Sequence, residues 1–303
     1  RQPGGRQPGG RQPAPAPMAP SAGKLPPKLE GAGRTNLLDC TDVPTHQKVP
    51  FILCGYRPAP RGACGLLRTV FSLHNETGNM WTHLIGVIYF SVLASRLCGE
   101  LLNAQEWAAS ADRVWVLVLV CATDFCLLAS FAYHLCKCGG KGLCHCTYRL
   151  DLTGIVSLIG ASYFTGIGLC YRCFPALRNF YLVYSACVVL TLIGPLAFPQ
   201  IISDLSRHFM VCCAVGLVPV AHLAIISPRE LRSVFLPYAL GMLSFYAAGA
   251  WFYVKRWPER RWPGKFDLFG HSHQVWHVFV LLAATTWVRG SFATLEHFDG
   301  VQC

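Results

Sequence analysis

The sequence has little charge for its length, and it is especially poor in acidic residues. Of its 303 residues 14% are charged, with 15 Asp and Glu against 26 Lys and Arg, whereas hydrophobic residues make up 53%. Soluble domains usually carry about 25% charged residues, so this composition would leave much apolar surface in water. The composition therefore argues against a soluble globular enzyme, and its hydrophobicity argues against a wholly disordered protein.

The basic excess is concentrated near the amino terminus. The first 70 residues hold ten Lys and Arg against three Asp and Glu, and the chain opens with the repeat RQPGGRQPGGRQP. Pro and Gly at this density do not sustain a helix or a core, so residues 1–45 are predicted to be a disordered basic tail. No signal peptide is expected there. No aromatic residue is interleaved with these basic residues, which argues against nucleic acid as a partner.

Long apolar runs recur beyond this tail, each of the length that a helix needs to cross the hydrocarbon core of a membrane. Helices are the expected spans, because unpaired backbone groups are costly in lipid. The sequence therefore predicts an all-α, seven-transmembrane helical bundle. The predicted spans are residues 80–97, 114–135, 152–171, 179–198, 209–227, 234–254 and 273–292.

The distribution of Lys and Arg between the loops orients these spans. With the amino terminus inside, the inner segments hold twelve basic residues and the outer segments seven, mainly because of the loop 255–265. This bias predicts a cytoplasmic amino terminus and an outer carboxyl terminus. The chain is then divided into the tail, a juxtamembrane or interfacial segment 46–79, a membrane domain 80–292 and a short outer tail 293–303.

Scarce polar residues gather at three predicted helix ends on the inner side. His134 ends the second span with Ser130 one turn before it, Asp151 begins the third, and His273 and His277 begin the seventh. Histidines four apart on a helix share a face, and three imidazoles leave a fourth tetrahedral position open, as in catalytic zinc sites. The alternative is that these are interfacial, hydrogen-bonded histidines, and spacing alone does not decide between the two.

Four ordered blocks carry a family resemblance that covers about residues 48–292. They are HNETGNMWTHLIG (74–86), SFAYH (130–134), LDLTGI (150–155) and PERRWPGKFDLFGHSHQVWH (258–277). These blocks and the order of the spans resemble the progestin and adipoQ receptor family, the group of adiponectin receptors, membrane progestin receptors and haemolysin-III-like proteins.

The resemblance implies a zinc site in which His134, His273 and His277 are the metal ligands. It also implies a ceramidase-like activity, in which Asp151 is the base or water-orienting group and Ser130 an oxyanion partner. The expected function is a membrane receptor that uses a zinc-activated water to hydrolyse a ceramide-like lipid amide. Its expected partners are the lipid bilayer, a lipid substrate or ligand, a hormone ligand and cytoplasmic signalling proteins, at the plasma membrane or the Golgi.

A second function remains open, in which the protein is a non-catalytic receptor or a membrane tether for signalling proteins. Zinc would then be structural, holding three helices together. A transporter is disfavoured, because the two halves show no inverted repeat and the polar residues do not trace a path through the midplane. Mid-membrane Asp124 is the one feature that favours transport, and neither it nor His222 lies in a motif.

Two further groups of residues have open roles. The Glu76–His83 block precedes and enters the first span, and we favour a structural role for it, capping the helix or packing against the Pro-Glu-Arg-Arg loop. Four cysteines between Cys136 and Cys146 are interpreted as free thiols, with a second metal site or palmitoylation as alternatives. On the outer side, pairing among Cys98, Cys170 and Cys173 is left open.

Overall fold

The computed structural model describes residues 37–103, 107–197 and 205–298. Within these residues the backbone forms nine α-helices and two short 3-10 turns, and extended pairing is limited to one bridge between Leu38 and Tyr56. Residues 1–36 of the predicted tail and residues 299–303 of the predicted outer tail lie outside the described part of the chain.

In the described part of the chain, seven helical segments are long and apolar enough to cross a membrane. Large apolar side chains such as Ile85, Val183 and Ile225 are exposed on their surfaces, as expected for contact with lipid. The predicted all-α fold with seven spans is confirmed, and the protein is a multi-pass membrane protein. The spans are α2 (Thr77–Asn103), α3 (Trp107–Cys136), α4 (Lys141–Cys170), α5 (Pro175–Ala197), α6 and α7 together (Leu205–Val215 and Leu217–Ile226), α8 (Arg229–Lys255) and α9 (Ser272–Phe298), after a short α1 (Gly62–Arg68).

The third span begins about three turns earlier than hydropathy predicts. Its first turns carry Lys141, His145 and Arg149, which lower the local hydropathy but lie four residues apart on one exposed face. Cys144 and Thr147 are buried on the other face. An amphipathic beginning of this kind is invisible to a uniform apolar window.

The fifth span is broken at Gly216 into α6 and α7. Pro219 lacks the N–H that would reach the carbonyl of Val215, and this carbonyl accepts a hydrogen bond of 3.1 Å from the Tyr184 hydroxyl. The ring of Tyr163 occupies the space that a Cβ at position 216 would need. The break is therefore compatible with a membrane interior, because a neighbouring hydroxyl satisfies the freed backbone oxygen.

The segment that precedes α1 is folded against itself. Leu38 and Tyr56 exchange backbone hydrogen bonds of 2.8 and 3.1 Å, and Val43 is buried in the same small cluster as Tyr56. Residues 38–45, which the sequence analysis places in the tail, therefore belong to the folded part of the chain.

The same segment is tied to the loop between α8 and α9. The Asp267 carboxylate accepts hydrogen bonds from the backbone N–H groups of Leu53 and Cys54, at 3.1 and 2.8 Å. Asp267 itself is buried, so these bonds compensate the desolvation of its charge. Two segments that are more than 200 residues apart thus cover one end of the bundle together.

Close packing of α3 against α4 depends on a glycine. A Cβ built at Gly154 of α4 would lie 2.8 Å from the Cα of Cys126 in α3, closer than real atoms approach. The clash is with backbone, which cannot rotate away as a flexible side chain can. Small residues at such positions allow helices to approach closely in membranes.

We expect Gly154→Ala to lower the thermal stability of the purified protein, because α3 and α4 must separate to admit the methyl group. The melting temperature is measured by heating samples of the purified protein and quantifying the folded fraction by size-exclusion chromatography. Gly142→Ala is the matched control, since Gly142 lies in the same helix and its Cβ would meet nothing within 4 Å. Gly142→Ala is expected to raise the free energy of unfolding by up to about 1 kcal/mol, because Ala has a higher helix propensity than Gly. Equal melting temperatures for the two variants would contradict the packing argument.

Candidate metal centre

Three histidines from two helices meet inside the bundle. His134 lies near the end of α3, and His273 and His277 lie in the first turns of α9. Their ligand atoms are all within 4.8 Å of one another, and the Nε2 atoms of His134 and His273 are 3.3 Å apart. His134 and His277 are buried, whereas His273 is partly exposed. The structure therefore brings together the three predicted ligands.

Two of the three imidazoles are oriented by acceptors at the start of α2, one in its first turn and one just before it. Nδ1 of His134 lies 2.7 Å from Oε2 of Glu76, and Nδ1 of His277 lies 3.2 Å from the carbonyl oxygen of Asn79. An ionised carboxylate and a carbonyl only accept, so each Nδ1 carries the hydrogen and each neutral ring keeps its lone pair on Nε2. This is how proteins commonly fix the tautomer of a metal-binding histidine.

The donor set and its spacing fit zinc. Two nitrogen ligands about 2.0–2.1 Å from one tetrahedral zinc ion lie about 3.3–3.4 Å apart. The separation of the His134 and His273 Nε2 atoms is 3.3 Å. Neutral imidazoles suit Zn²⁺, whereas Ca²⁺ and Mg²⁺ prefer oxygen ligands.

Glu76 joins the site to a buried charge network. Its second oxygen accepts a hydrogen bond of 2.7 Å from Lys137, and Oε2 also accepts one of 2.6 Å from the Asn79 amide. Burial acts to raise the pKa of Glu76, but Lys137 and His134 together hold it well below its ordinary value. Glu76 is therefore a carboxylate, and a strong acceptor for His134.

This role of Glu76 differs from the one that the sequence suggested. The block was expected to cap the first helix or to pack against the Pro-Glu-Arg-Arg loop, yet the partners of the Glu76 side chain are on α2 and at the end of α3. In that loop Glu259 has the capping role instead. Its carboxylate accepts hydrogen bonds from the backbone N–H of Ser272, at 2.8 Å, and from the Ser272 hydroxyl, at the start of α9.

The backbone at His134 is held from outside the membrane spans. Arg57 donates hydrogen bonds of 2.5 Å to the carbonyl of His134 and 3.2 Å to that of Leu135, and it also contacts Thr69 at 2.7 Å. These carbonyls belong to the last turn of α3, where intrahelical donors run out. A guanidinium there satisfies them and interacts favourably with the helix dipole. Sequence spacing gave no signal for this contact.

The start of α9 is fixed against α2 by Gln274. Its amide donates to the carbonyls of Leu268 and Asn75, at 2.9 and 3.3 Å, and its oxygen accepts from Gly270 at 2.7 Å. The Gln274 side chain lies against Gly78, where a Cβ would collide with it. The Gly in the Glu-Thr-Gly-Asn block therefore allows the close approach that places His273 and His277 beside α2.

Ser130 and Asp151 lie near each other and outside the group of three histidines. Ser130 is buried one turn before His134, and Asp151 on α4 is close enough to Ser130 for a side-chain hydrogen bond. Asp151 is not within the group whose ligand atoms are mutually close. The structure thus brings these two residues to each other, and their catalytic roles stay predictions.

The remaining polar candidates do not form a second centre in the described part of the chain. Among those residues, the three histidines are the one group of three or more His, Cys, Asp or Glu placed to hold a metal, so the cysteines from Cys136 to Cys146 do not gather. On the outer side, Cys98 and Cys170 are free thiols and therefore do not pair. Asp124 accepts a hydrogen bond of 2.8 Å from Ser91.

The family match and several similar relatives point to the same group of membrane proteins. Residues 71–288 match the Haemolysin-III related family. The chain is 34% identical to heptahelical transmembrane protein 1 of Arabidopsis thaliana, over 89% of this chain and 84% of the relative. It is 30% identical to the adiponectin receptor protein of Drosophila melanogaster, over 79% and 55% of the two chains. It is 26% identical to the human progestin and adipoQ receptor family member 3, over 84% of each.

We expect Glu76→Gln to weaken zinc binding by about 10- to 100-fold, the usual effect of losing a partner that orients a metal ligand. The neutral amide no longer holds the His134 ring as a carboxylate does. Competition for zinc between the purified protein and a chelator measures the change. Glu100→Gln is the matched control, because Glu100 is exposed at the end of α2 that is remote from Glu76. If both variants bind zinc with equal affinity, Glu76 connects helices but does not orient His134 for the metal.

Proposed function

Because the chain belongs to the Haemolysin-III related family, as a multi-pass membrane protein of the adiponectin receptor type, we propose that it is a receptor with a zinc-dependent lipid amidohydrolase centre. The observation that carries this proposal is the pair of contacts from Glu76 to His134 and from Asn79 to His277, which turn two Nε2 lone pairs toward the site. His273 supplies the third imidazole.

His134, His273 and His277 would hold the zinc, with no fourth protein ligand among the described residues close to all three. Zinc in such a site polarises a carbonyl group and makes a water molecule a better nucleophile at neutral pH. A three-ligand set is typical of catalytic zinc, whereas structural zinc usually has four protein ligands.

The chain's own residues would supply the proton transfer and the positioning. Asp151 is proposed to orient the water and accept its proton, and the Ser130 hydroxyl to donate a hydrogen bond to the oxygen that develops charge. His273 is the more exposed of the three ligands and lies beside Tyr253 of α8, with ring centroids 5.6 Å apart. A lipid would therefore approach on the α8 side.

The alternative is a receptor or tether without catalysis, at the plasma membrane or the Golgi, with a hormone ligand and cytoplasmic signalling partners. The observation in its favour is that the polar network already binds α2 to α3 through Glu76 and Lys137. Zinc shared between α3 and α9 would extend this connection and contribute to folding.

Asp151→Asn separates the two functions. We expect it to lower hydrolysis of a ceramide-like amide by about 10²- to 10⁴-fold, the usual contribution of a general base, with zinc content unchanged. Metal analysis of the purified protein beside a lipid-hydrolysis assay measures both quantities. His273→Ala is expected to lose zinc as well as activity.

Asp124→Asn is the matched control, since Asp124 lies in the membrane on α3 and its recorded partner is Ser91. It should retain both zinc and hydrolysis. The tether is favoured if the wild-type protein binds one equivalent of zinc but cleaves no lipid amide. In that case Asp151→Asn should match the wild type in zinc content and stability.

We also propose that the histidine end of the bundle faces the cytoplasm, as the predicted cytoplasmic amino terminus requires. Leu66 of α1 packs in one cluster with Leu135, next to His134, so α1 lies at this end. The exposed basic residues Lys141 and Arg261 lie in its loops and helix ends, as the positive-inside bias requires.

Cys64 tests this orientation, because it is an exposed free thiol on α1. In intact cells a membrane-impermeant maleimide should leave Cys64 unlabelled, and permeabilisation should expose it. The label at Cys64 is identified by its loss in Cys64→Ser. Labelling of Cys64 from outside intact cells would reverse the proposed topology.

A further inference from the structure

Two side chains of α2 next to the three histidines carry polar atoms that have no hydrogen-bond partner among the described residues. Oδ1 of Asn79 and both ring nitrogens of His83 are buried and accept or donate no hydrogen bond in the described part of the chain. Asn79 and His83 are four residues apart, so their side chains lie on one face of the helix. His83 is 3% exposed and Asn79 is 1% exposed.

These atoms are unpaired whichever way the side chains are assigned. The Asn79 nitrogen donates to the Glu76 carboxylate at 2.6 Å, and a carboxylate only accepts, so the other atom of the amide must be the oxygen. A neutral imidazole always has one donor and one acceptor, so either tautomer of His83 leaves both unpaired. Unpaired buried polar atoms are costly, and those in native structures call for an explanation.

His83 belongs to the wall of the site but not to its ligands. Its ring stacks on His277, with centroids 3.7 Å apart and planes 8° from parallel. His83 is absent from the group whose ligand atoms are mutually close. If stacking were its only role, phenylalanine or leucine would fill the space without burying two unpaired nitrogens.

We propose that His83 and the Asn79 oxygen bind the polar group of the substrate lipid next to its scissile bond. This rests on the proposed hydrolase function and assigns the residues that select its substrate class. The Asn79 oxygen accepts only, so it requires an N–H or O–H donor from the ligand. His83 offers one donor and one acceptor, which suit the carbonyl oxygen and the N–H of an amide, and the Asn79 oxygen would accept a hydrogen bond from a neighbouring hydroxyl.

The complementary ligand is therefore an N-acyl lipid that carries a hydroxyl group. The corresponding O-acyl ester replaces the amide N–H by an oxygen that only accepts, and it would leave the acceptor nitrogen of His83 unpaired. A site that hydrogen-bonds a donor discriminates strongly against the analogue that lacks it. We expect the wild-type protein to bind the amide about tenfold more tightly or better.

The experiment measures binding and not turnover. Competition with a fluorescent N-acyl lipid gives the affinities of zinc-loaded protein for a hydroxylated N-acyl lipid and for its O-acyl ester of equal chain length. His83→Phe keeps a stacked ring on His277 and removes both nitrogens, so it should bind zinc normally and lower the amide preference to about threefold or less. His83→Leu serves if the phenylalanine does not fold.

Two further variants define the cause. His83→Gln keeps a donor and an acceptor and should retain most of the preference. His222→Phe makes the same change at a histidine that is bonded to Tyr181 at 2.7 Å on another helix, and it should behave as wild type. Asn79 itself is left unchanged, because its amide nitrogen also holds Glu76.

The outcomes separate this inference from the hydrolase function. Loss of the amide preference in His83→Phe with zinc retained supports it, even if the wild type cleaves neither lipid. A His83→Phe protein with the wild-type preference overturns it, as does a wild type without any preference or a His83→Gln protein as unselective as His83→Phe. If the wild type hydrolyses the lipid amide but one of the three contradicting results is found, the hydrolase function is retained and the role of His83 in selecting the substrate is rejected.

Discussion

The buried carboxylate of Glu76 is the interaction on which the rest of the site depends. A charge inside a membrane protein is tolerated only with partners, and Glu76 has Lys137, His134 and Asn79. Removing one partner of such a buried pair typically costs about 3–5 kcal/mol, because the other charge is left uncompensated. The carboxylate therefore fixes the distance between the start of α2 and the end of α3, and with it the tautomer of His134.

The backbone near this carboxylate is also fixed by hydrogen bonds, because buried polar groups need partners. Helix ends have unpaired groups, and at one end of the bundle side chains from distant segments satisfy them. Arg57 bonds the carbonyl of His134, and Glu259 bonds the N–H of Ser272. Each of these bonds fixes a helix turn that carries or adjoins one of the three histidines, so the amino-terminal segment and the α8–α9 loop support the candidate site although they contribute none of the three histidines.

The seven helices could be predicted because each depends on local pattern, whereas the group of three histidines was predicted from the meeting of three helix ends on one side and from the family resemblance. A span is an apolar run, and His273 and His277 share a face whatever surrounds them. The partner of Glu76 lies 58 residues away, and no spacing rule connects the two. The break at Gly216 was also missed, since hydropathy does not register the missing N–H of Pro219 or the hydroxyl that replaces it. What the sequence concealed was thus long-range hydrogen bonding.

Asn79 shows why function and fold are hard to separate here. Its carbonyl orients His277, and its amide nitrogen orients Glu76, which in turn orients His134. One residue of α2 therefore holds both sides of the site, and changing it would disturb helix packing and ligand orientation together. His83, by contrast, meets the site through ring stacking on His277, and its nitrogens bond no residue in the described part of the chain. Replacing His83 by phenylalanine therefore keeps a ring of similar size against His277 and breaks no hydrogen bond among the described residues, so it disturbs helix packing far less than a change at Asn79.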